Sequence, residues 1–173
     1  AALGHTIAPL SRLEQWMRAE LAAHAPLMSS RKQQGYVREG HGDLHLGNIA
    51  QYKGQLMAFD CIEFDPALRW IDVMSDIAFL AMDLDFRQQP ELSARFLNRY
   101  LEITGDYAGV ALLPFYQAYR ALVRAKVTLI KATQRAGQPD SEKNLESRFE
   151  DYVELARRYA QPRRPALLVT HGF

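Results

Sequence analysis

The residues best able to do chemistry lie in the run His41-Gly42-Asp43-Leu44-His45-Leu46-Gly47-Asn48, with Asp60 further along the chain. Asparagine and aspartate offer hard oxygen ligands, suited to a magnesium ion shared with phosphate oxygens rather than caged by protein alone. A separate aspartate, Asp43, can accept or orient the proton of an attacking hydroxyl. An acid, an amide five residues later and a second acid brought back by a hairpin therefore point to phosphoryl transfer. Gly42 and Gly47 would let the backbone turn between these duties. Two other readings stay open on residue types alone. The segment can be a polar turn, or His41, Asp43 and His45 can be ligands of a hydrolytic metal.

Positioning such a site falls to the elements around it. From Ile49 to Phe59 the pattern is strand, turn, strand, with Lys53-Gly54 as a two-residue turn. That turn sets Tyr52 against Gln55, Ile49 against Ala58 and Asn48 against Phe59, so Asn48 and Asp60 meet at the open end. A short strand at Tyr36–Arg38 leads into the glycine-containing run. Ser11-Arg12-Leu13-Glu14 has the form of a capping box opening a helix with Leu10, Leu13, Trp16, Met17 and Leu21 on one face, which Pro26 should interrupt. After the hairpin the chain reads as wholly helical. Ile71 to Leu84 and Leu92 to Leu101 form two apolar faces, and Gly105 is placed to end the second. A longer helix spans Leu112 to Arg135, with Pro114 tolerated in its first turn, and a last helix carries Leu145 to Tyr159. The fold class expected is mainly α with a small β-hairpin, an α+β arrangement.

The spacing His-x-Asp-x-x-x-x-Asn, followed by Ala58-Phe59-Asp60, resembles the catalytic loop and second metal-binding aspartate of the protein-kinase fold. With Gly42 in place of the kinase arginine, the run is similar specifically to the aminoglycoside phosphotransferase family; Leu46 departs from that family's usual proline. The resemblance implies that Asp43 is the catalytic base, that Asn48 and Asp60 hold Mg2+ on the phosphates of ATP, and that His41 braces the loop. It further implies that Asp76 is a buried acid hydrogen-bonding this loop from beneath. The acceptor would be a hydroxyl of a small molecule. Glu63 and Asp65 lie close by in sequence without an assigned role.

A finer likeness runs through Phe59-Asp60-Cys61-Ile62-Glu63-Phe64, Leu68-Arg69-Trp70-Ile71-Asp72-Val73 and Met82-Asp83-Leu84. It resembles two-part bacterial proteins in which a phosphotransferase-like half precedes a P-loop half. On that likeness residues 1–165 form the C-terminal lobe of a kinase-like domain, and Ala166–Thr170 with His171-Gly172-Phe173 form the first strand and opening loop of a P-loop domain. The nucleotide-clamping N-terminal lobe is expected on a longer parent protein, and the isolated piece is expected to be nearly inert. The competing class is a non-catalytic regulatory or interaction module coupled to a P-loop neighbour.

Composition bounds these readings. A chain of 173 residues with 48% hydrophobic content suffices for one well-buried core. A formal net charge of +1 gives no footprint of a nucleic-acid binder. No apolar run reaches membrane-spanning length, and the single cysteine, Cys61, excludes an internal disulfide framework. A cytoplasmic protein is expected. Cys61 is read as a small buried residue, and Trp16, Phe79, Phe96, Phe115, Tyr119 and Phe149 as core. Arg120, Arg124, Lys131 and Arg135 fall on one helix stripe, read as a solvated face paired with Glu142 or Glu146, or alternatively as a contact for an anion or a neighbouring half.

Overall fold

The computed structural model describes the backbone of residues 3–134 and 139–162, and the side chains of 10–134 and 144–162. The strand and loop expected over 166–173, together with Arg135 and the Glu142 side chain, lie outside the described residues. The chain order is α1 (Leu3–Gln33), β1 (Val37–Glu39), β2 (Ile49–Tyr52), β3 (Gln55–Ala58), α2 (Pro66–Arg69), β4 (Trp70–Asp72), α3 (Val73–Phe86), α4 (Pro90–Thr104), α5 (Leu113–Gln134) and α6 (Pro139–Tyr159), with short 3-10 turns at Leu46–Asn48 and Tyr107–Leu112. Mostly helix with two small antiparallel sheets, this is an α+β protein. No helix among the described residues is long and apolar enough to cross a membrane.

Helix α3 is the axis of the molecule because its sequence is apolar on nearly every side, and such a helix is stable only when surrounded. Its residues from Ala78 to Leu84 are all buried. One side packs Phe79 and Met82 against Ala118, Ala121 and Ala125 of α5, Tyr152, Val153 and Ala156 of α6, and Leu13 of α1. The three alanines recur at helical spacing, so a shallow stripe on α5 admits its neighbours closely. Phe86 stacks on Tyr152 with centroids 3.9 Å apart. The other side sets Met74 and Ala78 against Leu113, with Leu97 and Tyr100 of α4 covering them.

The first helix differs from the sequence expectation in two ways. It begins before Ser11 and runs unbroken past Pro26. Ser11 therefore lies inside the helix and not at its N-cap, and Glu14 pairs with Arg18 at 3.0 and 2.8 Å. Pro26 is exposed, and losing one backbone bond there costs about 3 kcal/mol. Anchors at both ends hold the helix through that gap: Leu13 lies in the core and Arg31 is 1% exposed. Leu21, expected on the apolar face, is half exposed because the helix overruns the core.

The hairpin has the expected register, Ile49 opposite Ala58 and Tyr52 opposite Gln55. Positive φ at both Lys53 (49°) and Gly54 (79°) makes the two-residue turn whose twist matches its strands. The expectation of helix alone beyond the hairpin fails at Trp70–Asp72. Those residues form β4, which pairs antiparallel with β1 from Val37↔Asp72 to Glu39↔Trp70. Gly105 ends α4 in the left-handed conformation as expected, with φ 68°.

The end of α1, the start of α3 and the turn after α4 converge on Arg31. Its guanidinium donates to both oxygens of Asp72, at 2.7 and 2.8 Å, and to both of Asp106, at 2.5 and 2.8 Å. Asp72 also caps α3 by accepting from Met74 N–H at 2.9 Å. Asp106 takes further bonds from the Tyr100 hydroxyl and Gly109 N–H. Burial works against ionised Asp106, but the bonds from Arg31 and Tyr100 outweigh it and hold the carboxyl below its ordinary value of 3.8. A depressed pKa stabilises the fold above the unfolded-state value, and that stabilisation is lost as pH falls through the folded one. We therefore expect Asp106→Ala to cost about 3–5 kcal/mol at neutral pH, since Arg31 is left buried and half-paired. In urea titrations, the part of the acid-induced destabilisation appearing below about pH 4 should shrink in the variant. A loss under about 1 kcal/mol would show that the cluster does not hold the fold.

Candidate active site

The loop carrying Asp43 is built on two acids of α3. Asp76 and Asp83 are two helical turns apart and so share a face. Asp76 accepts from His41 N–H at 2.7 Å and from Gly42 N–H at 3.0 Å. Asp83 accepts from Leu46 N–H at 3.0 Å. Both ends of the loop are thus held by carboxylates that are themselves buried.

Arg120 of α5 completes the hold from the far side. It donates to Gly42 C=O at 2.8 Å and to Ser75, and lies over the Phe79 ring at 4.7 Å. Burial lowers the pKa of its guanidinium and neighbouring Asp76 opposes that fall. Gly42 is therefore bonded through its N–H to one element and through its C=O to another, on the peptide that leads into Asp43. At φ +80° it also passes Leu68 so closely that an added Cβ would sit 2.8 Å from the Leu68 carbonyl oxygen. Gly47 has a different task from the turn expected of it. A Cβ there would lie 2.7 Å from the His45 ring, whose Nδ1 accepts from Gly47 N–H.

His41 joins the loop to the end of the hairpin. Its Nε2 donates to the Phe59 carbonyl at 2.8 Å, which leaves Nδ1 as acceptor towards Asp43 N–H at 3.4 Å. The His41 carbonyl in turn accepts from Ile62 N–H. Both ring nitrogens of His41 and Nδ1 of His45 face protein donors or acceptors, so lone pairs for a metal are taken. No group of three His, Cys, Asp or Glu residues suited to a metal occurs among the described residues. That chemistry disfavours the hydrolytic-metal alternative.

Asp43 is partly open to solvent and tied at its base. Asn48 Nδ2 donates to the Asp43 carbonyl at 3.0 Å and to its carboxylate at 3.1 Å, and His45 Nε2 lies 3.4 Å from the same carboxylate oxygen. The His45 contact is the chief reason the Asp43 carboxyl sits below the ordinary range, against the opposing effect of burial. Because the Asn48 nitrogen faces Asp43, its side-chain oxygen remains for another partner. Phe59 N–H bonds to Asn48 C=O, which brings Asp60 beside Asn48 at the open end of the hairpin. Asp60 has φ 60°, an uncommon conformation for a residue with a side chain. Its exposed carboxylate has no hydrogen-bond partner among the described residues. One amide oxygen and one free carboxylate fit a magnesium ion whose remaining ligands are phosphates and water.

Beside Asp43 opens a cavity of 680 Å³, bounded by α1, the β1/β4 sheet, α2 and α5. Tyr116 and Tyr119 line one wall. Tyr119 was expected in the core and is 42% exposed. Burial, helped by Asp72, pushes the Tyr116 phenol up to about 12, so it remains a neutral O–H.

The chain is 37% identical over 132 residues to uncharacterized proteins of Mycobacterium bovis and Mycobacterium tuberculosis. The match covers 76% of this chain and 26% of those proteins, so the chain spans about a quarter of their length. No family model matches it, and no solved structure does.

Several residues behind this geometry escape sequence reasoning. Arg31, Asp72, Asp83 and Asp106 act through partners distant in the chain. Arg120 and Arg124 were assigned to a solvated stripe, yet Arg120 is buried under the loop and Arg124 meets His45 at 3.1 Å; only Lys131 of the described part is exposed. Both arginines fall at the helix phase of Gln117, Ala121 and Thr128, whose burial only the structure shows. Cys61, expected inside, is exposed. Asp65 caps α2 through Ala67 N–H, and Glu63 is exposed with its carbonyl near Arg69.

Removing the Asp76 carboxylate leaves two loop amides without acceptors, each worth about 1–3 kcal/mol when buried. We expect Asp76→Ala to accelerate hydrogen exchange at His41 and Gly42 well beyond the change at Phe79 in the core. Equal acceleration at all three would point to general loosening instead of an unclamped loop.

Proposed function

We propose that this chain is the hydroxyl-activating, magnesium-binding lobe of an ATP-dependent small-molecule phosphotransferase, similar to the aminoglycoside phosphotransferase family and its kinase-like fold. The observation that carries the reading is a partly open, ionised Asp43 bonded by the Asn48 amide nitrogen, which leaves the Asn48 oxygen free, with Asp60 next in the chain to Phe59, whose N–H is tied to the Asn48 carbonyl. In this reading a cytoplasmic parent supplies the lobe that clamps the nucleotide, and a P-loop half follows. The length of the mycobacterial relatives leaves ample chain for both.

The chemistry follows from the positions of these groups. Asp43 Oδ accepts a hydrogen bond from the acceptor hydroxyl and aims a lone pair of its oxygen at the γ-phosphorus. A new P–O bond forms, the bond to the ADP oxygen breaks, and the hydroxyl proton passes to Asp43. Asn48 and Asp60 would hold magnesium, which when bound offsets negative charge on the transferring phosphates. His41 and Asp76 keep Asp43 in place without touching the reacting atoms. His45 keeps Asp43 ionised, so protonation of this group should not slow turnover until well into the acid range.

The test is γ-phosphate transfer from radiolabelled ATP to a library of hydroxyl compounds by the full-length protein. We expect transfer to require magnesium, to stop with EDTA, and to fall about 10²–10⁴-fold in Asp43→Asn. Melting temperature should change little, because Asp43 is partly exposed. Full activity in Asp43→Asn would remove the base assigned to it. Failure to bind magnesium-ATP in the full-length protein would favour a regulatory module.

A further inference from the structure

The cavity beside Asp43 has a charge inventory that restricts what can occupy it. Its lining holds two acids, Asp43 and Asp72. Asp72 is already spent on Arg31 and on the cap of α3. That leaves Asp43 as the only lining carboxylate among the described residues free to meet a ligand. Of the two lining cations, Arg120 is engaged by Gly42 and Ser75, whereas Lys32, exposed at the rim, pairs with no carboxylate among the described residues. Much of the remaining wall is apolar or aromatic, including Met28, Ile62, Trp70, Tyr116, Tyr119 and Val123. Trp70 and Tyr119 are 54% and 42% exposed, large surfaces left unfilled by the protein itself.

A polycation would fare badly here. Each ammonium group drawn out of water requires a carboxylate partner to offset desolvation, and the one free carboxylate, Asp43, is already shared with Asn48 and His45 and is the group that meets the ligand hydroxyl. An aromatic or aliphatic body is favoured by the same walls, and 680 Å³ is within the range of pockets that enclose whole small ligands. We infer that the ligand of this cavity is a hydroxyl compound with an aromatic or otherwise largely apolar body, bearing at most one charge, which is negative and faces Lys32. As an acceptor assignment this rests on the phosphotransferase reading. As a statement about binding it does not.

Binding is therefore measured without nucleotide or magnesium, by saturation-transfer NMR and calorimetry on the full-length protein, with phenylpropanol, hydroxymethylbenzoate and kanamycin as probes. The expected order of affinity is hydroxymethylbenzoate, then phenylpropanol, then kanamycin. Tyr119→Ala should weaken both alcohols about tenfold, as loss of an aromatic anchor does, with an unchanged melting temperature. Lys32→Gln should abolish the preference for the benzoate and spare phenylpropanol. As a second wall variant, Val123→Asp should weaken the benzoate most and raise kanamycin binding. Kanamycin binding as tightly as the alcohols to the unaltered protein, or no binding of either alcohol, would overturn the inference. Indifference of both alcohols to Tyr119→Ala in a folded variant would overturn it too. A persistent benzoate preference in Lys32→Gln would overturn the role of Lys32. If the alcohols bind as expected but no hydroxyl compound receives phosphate from ATP, the phosphotransferase reading fails while the chemistry of the cavity stands.

Discussion

Everything in the site hangs from one guanidinium. Arg31, at the end of a long helix that runs partly outside the core, neutralises Asp72 and Asp106 together and uses its donors in two forked pairs. Asp72 is the last residue of β4 and the cap of α3. Fixing it sets both the register of the β1/β4 pair and the axial position of α3. Four residues on, α3 presents Asp76 to the loop; seven further on it presents Asp83. A shift of α3 by even one residue would take both carboxylates away from the loop amides they bind, because each residue of a helix is displaced by about 1.5 Å and turned by about 100° from the one before.

This arrangement explains why so many charges are inside a small protein. Arg31, Asp72, Asp76, Asp83, Asp106 and Arg120 are all buried. A buried pair is seldom more stabilising than apolar residues of equal volume. What such groups can supply, and apolar ones cannot, is directionality. The loop around Asp43 has little apolar content with which to pack, and its peptide groups must be paired wherever water is excluded. Carboxylates and a guanidinium projecting from the surrounding helices meet those peptide groups one by one. Stability is thereby spent on the placement of a loop.

How far the sequence reveals this depends on the range of the interaction. The hairpin was legible down to its register, because Lys53-Gly54 fixes the turn and alternate side chains count outwards from it. The end of α4 was legible because glycine at position 105 needs no contact from elsewhere to adopt positive φ. The approach of Asp76 to the loop could be anticipated only through the resemblance of the surrounding motif, and the hydrogen bonds are now visible. Arg31 could not be found this way: its partners are 41 and 75 residues distant. The helical stripe of Arg120 and Arg124 misled for the opposite reason. A basic residue at regular spacing is most often solvated, and only the three-dimensional path of the loop shows a carbonyl waiting for Arg120. Residues 70–72 carry too few positions for a strand signal; they become one because β1 offers an unpaired edge.

The contrast between the two faces of the loop bears most directly on function. Below, His41, Gly42 and Leu46 have their amides bound to acids of α3, and rearrangement would leave several buried groups without partners at once. Above, the Asp43 and Asp60 carboxylates and the whole hairpin are accessible, and Asp60 holds an unfavoured backbone conformation with nothing bound to its side chain among the described residues. Strain of that kind persists where surrounding structure enforces it. Here the enforcement is local: the Phe59 amide is tied to Asn48, and its carbonyl to His41. A side chain held rigidly from beneath and unpaired above is preorganised for a ligand, since little conformational freedom remains to be lost when one arrives. The same geometry in a purely structural turn would point its acids at water with no need for three buried charges underneath. On that ground the investment beneath the loop favours a binding or catalytic role for Asp43 and Asp60 over a solvated turn.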